Sequence, residues 1–156
     1  MSSPKLLTSP RILMVDDEIE QLRLRAQVIG MCGFAVITAS GPMEAICMMT
    51  EKPVGRIDLA ILDYNLPIMN GCALADRLKS MCPEMKIMLH SGEMDIPQNE
   101  MTSVDTFIPK GEGIGQLLAQ IIRLAETHMP PPAVATVGQN RPCERMTDNP
   151  DPHRLI

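Results

Sequence analysis

Residues 11–39 read RILMVDDEIEQLRLRAQVIGMCGFAVITA, and this stretch decides the architecture. Arg11–Val15 is a short apolar run without polar alternation, the pattern of a strand buried on both faces, and it stops at Asp16-Asp17-Glu18. A helix is predicted next. Leu22, Leu24, Ala26, Val28, Ile29 and Met31 are its apolar positions. The acids Asp17, Glu18 and Glu20 stand in its first turn, where the helix dipole favours them. Gly33 occupies the place of a C-terminal glycine cap, and Phe34–Ala39, short and β-branched, reads as the second strand.

The alternation continues along the chain. Ser40 is the expected N-cap of a helix over Met43–Thr50, with Pro42 in its first turn and Pro53 and Gly55 closing it. Ile57–Leu62 is the third strand and ends on Asp63, followed by a loop over Tyr64–Asn70 that carries Pro67. Gly71–Met81 reads as a helix stopped by Pro83, and Lys86–Leu89 as a fourth strand ending at His90-Ser91-Gly92. Glu93–Ser103 contains Pro97 and holds one short helix at best, before a fifth strand over Val104–Ile108 and the sequence Pro109-Lys110-Gly111. Ile114, Leu117, Leu118, Ile121, Ile122 and Ala125 form the stripe of a last amphipathic helix over Ile114–Thr127. Five strand–helix repeats imply an α/β fold, a five-stranded parallel sheet with helices on both faces.

Composition narrows the function. The 156 residues suit one domain and a short tail. A net charge of −5 argues against nucleic acid or an anionic membrane as a direct partner. No apolar run approaches the roughly 18–20 residues that span a bilayer, and Met1–Pro10 lacks the apolar stretch of a secretion signal. The cysteines 32, 47, 72, 82 and 143 form no CxxC pair and are expected to be reduced core thiols of a cytoplasmic protein. Met129–Ile156 has prolines at 130, 131, 132, 142, 150 and 152 and no apolar period, so it is expected to be an irregular tail, a linker or frayed end, or else a docking segment.

In a parallel sheet, function gathers at the C-terminal ends of the strands. Asp16-Asp17, Asp63, Ser91 and Lys110 all follow strands and are expected on one rim. Any one of them alone is a helix cap or a turn residue. Together, the carboxylates repel: two unit charges about 4 Å apart cost about 4 kcal/mol at an effective dielectric near 20. Such a cluster needs cations. Lys110 supplies one charge, and an all-oxygen ligand set suits Mg²⁺ or Mn²⁺ rather than zinc.

With ILMVDDE (12–18), AILDYNLPIMNG (60–71), MLHSG (88–92) and TFIPK (106–110) in this order, the chain resembles the response-regulator receiver domains of two-component signalling, in the manner of the chemotaxis regulators. In the second segment the Asp, the Asn two later, the Pro four later and the Gly eight later all agree with the family pattern. The resemblance covers residues 10–128, leaving 1–9 as an N-terminal extension and 129–156 as the Pro-rich tail. It implies the strand order 2-1-3-4-5 and phosphorylation of Asp63 by a histidine kinase or a histidine phosphotransfer protein. Asp16 and Asp17 would form the metal pocket with Asp63, and Asn65 would add its backbone carbonyl. Ser91 would bind one phosphoryl oxygen and Lys110 another. Phe107 stands at the aromatic switch position, beside its plainer reading as a core aromatic. The implied protein is no enzyme towards outside substrates: it promotes its own phosphorylation and dephosphorylation and signals through contacts with a downstream protein.

Two departures from the family carry expectations. The usual Lys-Pro after the fifth strand is Pro109-Lys110-Gly111 here. A cis bond before Gly111 would cost about 2.5–4 kcal/mol, so Lys110–Gly111 is predicted trans. The interval from Ser91 to Phe107 is also short by roughly one helical turn, so the family's fourth helix should be short or irregular, and with it the dimer and output surface; a homodimer is left open. No basic recognition helix is seen in the tail, which leaves a stand-alone receiver or a piece of a longer regulator.

Other classes fit less well. A degenerate receiver, a constitutive interaction module, would not need the acids, serine and lysine that are all present. An aspartyl phosphatase would carry DxD after the first strand, and a flavin protein would carry a phosphate-cradling loop there; DDEIE is acidic and repels a phosphate.

Overall fold

The computed structural model describes residues 10–51 and 55–128, with side chains to Leu124. The N-terminal extension 1–9, Pro53 and the tail 129–156 lie outside the described residues. The element order is β1 (Arg11–Val15), α1 (Ile19–Met31), β2 (Ala35–Ala39), α2 (Pro42–Thr50), β3 (Leu59–Leu62), α3 (Gly71–Met81), β4 (Lys86–Ser91), β5 (Thr106–Pro109) and α4 (Gly113–His128). Short 3₁₀ turns occupy Gln98–Glu100 and Lys110–Glu112.

The strands form one parallel sheet in the order β2-β1-β3-β4-β5. Strand alternation divides the core in two. Leu13, Val15, Ala60, Leu62, Ile87 and Leu89 face α2 and α3, whose Ala45, Ile46, Met49, Leu74 and Leu78 complete one apolar cluster. Ile12, Met14, Leu59, Ile61, Met88 and Ile108 face the other way, onto Leu22 and Ile29 of α1 and Leu117 and Ile121 of α4. Continuous apolar strands are what such a sandwiched sheet needs, since both faces of each strand are covered.

Several local readings change. Helix α1 begins at Ile19, so Asp17 and Glu18 precede it, and Glu20 is the acid of its first turn. It buries only Leu22 and Ile29, while Leu24 and Met31 are exposed. The N-cap of α2 is Gly41; Ser40 instead holds the Glu44 carboxylate through its N–H and hydroxyl, at 2.7 and 2.8 Å. In α4, Leu117 and Ile121 are fully buried, whereas Ile114 and Ile122 flank the contact and remain partly open to solvent. Gly33 does end α1, at φ 102°, in the left-handed region that glycine enters without strain. Cys32, Cys47 and Cys72 are free thiols, but only Cys72 of these is buried, which departs from the expectation of core thiols; Cys82 is buried as expected.

The crossover from β4 to β5 contains only the 3₁₀ turn Gln98–Glu100, in keeping with the short interval read from the sequence. No peptide bond among the described residues is cis, so Lys110–Gly111 is trans. No helix of the described residues is long and apolar enough to cross a membrane.

Candidate phosphorylation and metal site

The sheet order puts β1 beside β3, with β4 and β5 following, so the residues after these strands meet at one rim. Asp63 follows β3 directly, and its N–H donates to the Val15 carbonyl at 3.0 Å, extending the ladder by one step. Asp16 likewise donates its N–H to the Ala39 carbonyl at 3.3 Å. Backbone pairing therefore fixes where both residues leave the sheet, side by side at the rim.

Lys110 joins them. Its Nζ lies 3.0 Å from Asp16 Oδ2 and 3.2 Å from Asp63 Oδ2. Asp16 and Asp63 are buried, and Asp17 is exposed beside them. Carboxylate oxygens of Asp16, Asp17 and Asp63 all lie within 4.8 Å of one another. Three carboxylates from two strand ends form an all-oxygen set that could hold a hard divalent cation, with Asp17 on the solvent side where water ligands have access.

The charges strain one another. Burial pushes the Asp63 carboxyl above its usual range, the Asp16 charge pushes it further, and Lys110 with the Asn65 backbone pulls it back only in part. Burial pulls the Lys110 ammonium down, but its hydrogen bonds and charge contacts with Asp16 and Asp63 outweigh this and leave it raised. One lysine does not fully compensate the acids.

Ser91 ends β4 with no solvent exposure, and its Oγ accepts from the Glu93 N–H at 3.0 Å. Phe107 pairs with Leu89 across β4 and β5, while Ser91 pairs with Pro109, so Phe107 and Ser91 share a face of the sheet. Phe107 is half-buried against the α2–α3 side of the core. Asn65 sits in the loop after Asp63. That loop is tightly turned: Met69 N–H donates to the Pro67 carbonyl at 2.8 Å around Ile68, a β-branched residue at φ 76°.

The structure adds two residues that the sequence reading missed. Arg25 of α1 places Nη1 3.4 Å from Asp16 Oδ2. The signal for it was available: Leu22, Arg25 and Ile29 lie on one helical stripe, and a charge on a buried stripe requires a partner. His90 is buried next to Ser91, and its pKa is pushed down to about 4, by burial first and then by Arg25 and Lys110, with Asp16 opposing.

With this geometry in view, residues 12–122 match the family model of the response regulator receiver domain. The chain belongs to that family. Among curated relatives, the receiver domain is 27% identical over 118 residues to the transcriptional regulatory protein PrrA of Mycobacterium bovis, covering 74% of this chain and 49% of PrrA. It is 32% identical over 94 residues to Histidine kinase 3 of Arabidopsis thaliana, covering 60% of this chain and 9% of the kinase. It spans about half the length of PrrA. Among solved structures, a CheY-like receiver domain from Methanospirillum hungatei superposes with a TM-score of 0.68 at 24% identity, covering 77% of this chain and 96% of that one. TrrA from Thermotoga maritima, solved in complex with Mg²⁺ and BeF, gives a TM-score of 0.67 at 25% identity, covering 74% and 98%.

Proposed function

We propose that this receiver domain accepts a phosphoryl group on Asp63 from a histidine kinase or histidine phosphotransfer protein, with Mg²⁺ or Mn²⁺ held by Asp16, Asp17, Asp63 and the Asn65 carbonyl. The observation that carries the reading is Lys110 bridging Asp16 and Asp63, with Asp17 close by. TrrA supports it twice: one structure holds Mg²⁺ and BeF, and another holds TrrA in complex with the histidine kinase ThkA.

The chain's own residues account for the chemistry. Asp63 Oδ attacks the phosphorus in line, the donor's P–N bond breaks, and its electron pair stays on the departing imidazole nitrogen. A bound divalent ion supplies charge neutralisation that Lys110 alone leaves incomplete. Lys110 and Ser91 then turn to the phosphoryl oxygens. Ser91 moving inward opens space on the face it shares with Phe107, and rotation of Phe107 into that space would change the surface around β5, a packing switch biased by charge. The altered surface would recruit a downstream protein. No turnover of an outside substrate is part of the reading.

Acetyl phosphate with Mg²⁺ tests it. The full chain is expected to gain one phosphoryl group by mass spectrometry and Asp63→Asn none. An unmodified wild type, or equal modification of the variant, would sink the proposal and leave the constitutive interaction module in its place.

A further inference from the structure

Asp16 has more cationic partners than the phosphoryl transfer calls for. Its Oδ2 receives Lys110 Nζ at 3.0 Å and Arg25 Nη1 at 3.4 Å, while its Oδ1 accepts the Glu18 N–H at 3.0 Å. Arg25 reaches it from the inner stripe of α1, and its side chain is only 17% exposed. Ordering and desolvating an arginine there is costly unless its charge is used.

We propose that Arg25 is a positioning residue of the phosphorylation site, holding the Asp16 carboxylate when Lys110 leaves for the phosphoryl group and limiting the site's affinity for a divalent cation. The inference rests on the phosphoacceptor reading of Asp63. Before transfer, Lys110 serves Asp16 and Asp63 together. A phosphoryl group on Asp63 draws Lys110 away; a divalent cation would be shared among Asp16, Asp17 and Asp63, so a buried Asp16 without Arg25 would still hold Lys110 back. Arg25 removes that conflict. It also changes the charge of the site. Asp16, Asp17 and Asp63 carry −3 and Lys110 and Arg25 carry +2, leaving −1; without Arg25 the balance is −2.

The surroundings leave these roles to Arg25 and Lys110. A pocket of about 270 Å³ beside the site is bordered by Leu24, Arg25, Val28, His90, Lys110 and Ile114. His90, the remaining titratable group there, has its pKa pushed down to about 4, by burial first, so among the described residues lining this pocket it does not add a third cation at Asp16.

The two roles predict effects of opposite sign. In Arg25→Gln, Mg²⁺ should bind roughly 3- to 30-fold more tightly, because the site is more negative. Phosphorylation by acetyl phosphate at saturating Mg²⁺ should slow by about 3- to 10-fold, because Lys110 is retained by Asp16. Arg25→Lys should restore both. Amide shifts of the unphosphorylated chain report the affinity, and phosphoprotein formation reports the rate. Arg25→Met, which suits the apolar stripe, gives the same two readings if the glutamine variant does not fold. Unchanged affinity, an unchanged rate at saturating Mg²⁺, or a parallel loss of both would overturn the role of Arg25 while the wild type still binds Mg²⁺ and is phosphorylated. A wild type that does neither overturns the phosphoacceptor reading, and this inference with it.

Discussion

Gly71 shows how closely one residue governs the site. It opens α3, and its N–H donates to the Tyr64 carbonyl at 2.8 Å. A Cβ at this position would overlap the Asp63 backbone carbonyl and meet Leu89 Cδ1 at 3.0 Å. The helix can start this near the proposed phosphoacceptor only because the residue has no side chain. Gly71→Ala is therefore expected to displace the Asp63 carbonyl, to destabilise the fold by about 1–3 kcal/mol, and to slow phosphorylation by acetyl phosphate several-fold. Urea denaturation and phosphoprotein assay check it; a variant unchanged in both would show that the carbonyl can relax. The sequence displayed this glycine as part of a spacing pattern eight residues after Asp63. The reason for it, contact between a helix start and a neighbouring strand end, is tertiary and was not legible there. The same holds for Arg25, whose partner is nine residues earlier in the chain and becomes a neighbour only once α1 is docked.

At the scale of elements, legibility followed local punctuation. β1 and α3 have the bounds read from the sequence, because an apolar run stops at acids in one case and Asn70 caps the helix in the other, accepting the Ala73 N–H at 2.9 Å. Where side chains replace ladder bonds, the reading slipped. β3 starts at Leu59 rather than Ile57, with Asp58 Oδ2 accepting the Arg11 N–H at 2.9 Å; β5 starts at Thr106 rather than Val104, with Asp105 Oδ2 accepting the Ile87 N–H at 2.8 Å. The β4–β5 crossover had no period to read, and its anchorage is a long-range contact: the Tyr64 hydroxyl donates to Glu100 Oε1 at 2.9 Å, across 36 residues. This bond ties the 3₁₀ turn Gln98–Glu100 to the loop that follows Asp63. Tyr64→Phe should free the turn while costing the whole fold only about 0.5–1.5 kcal/mol. Amide hydrogen exchange is expected to accelerate at residues 98–101 and to stay unchanged in β3 and β4. Equal protection of the turn in both proteins would mean that its own backbone bonds, Glu100 N–H to the Pro97 carbonyl at 3.0 Å and Met101 N–H to the Gln98 carbonyl at 3.1 Å, are enough to hold it.

The whole molecule bears the energetic consequence of gathering buried acids at one rim. The two apolar clusters, each closed by a pair of helices, supply the stability against which that rim is built. Asp63 has its pKa raised by burial and by Asp16, so the folded state holds the proton more tightly than the unfolded chain, whose ordinary value is 3.8. The contribution of this group is thus fully present below about pH 3.8 and is lost as pH rises through the folded value. At neutral pH the ionised Asp63 opposes folding. Asp63→Asn, which removes the charge and keeps the shape, should melt higher than the metal-free wild type at pH 7, by a few degrees for a difference on the order of 1 kcal/mol. The gap should close as pH falls towards 4. Mg²⁺ reverses the ranking by binding the native wild-type site: a hundredfold excess over Kd adds about 2.7 kcal/mol, and much less to the asparagine variant, which lacks one carboxylate ligand. Thermal melts of both proteins at pH 7 and pH 4, with and without Mg²⁺, read all of this in one series. A wild type that melts above Asp63→Asn without metal at pH 7 would show that Lys110 and Arg25 already compensate the buried acids.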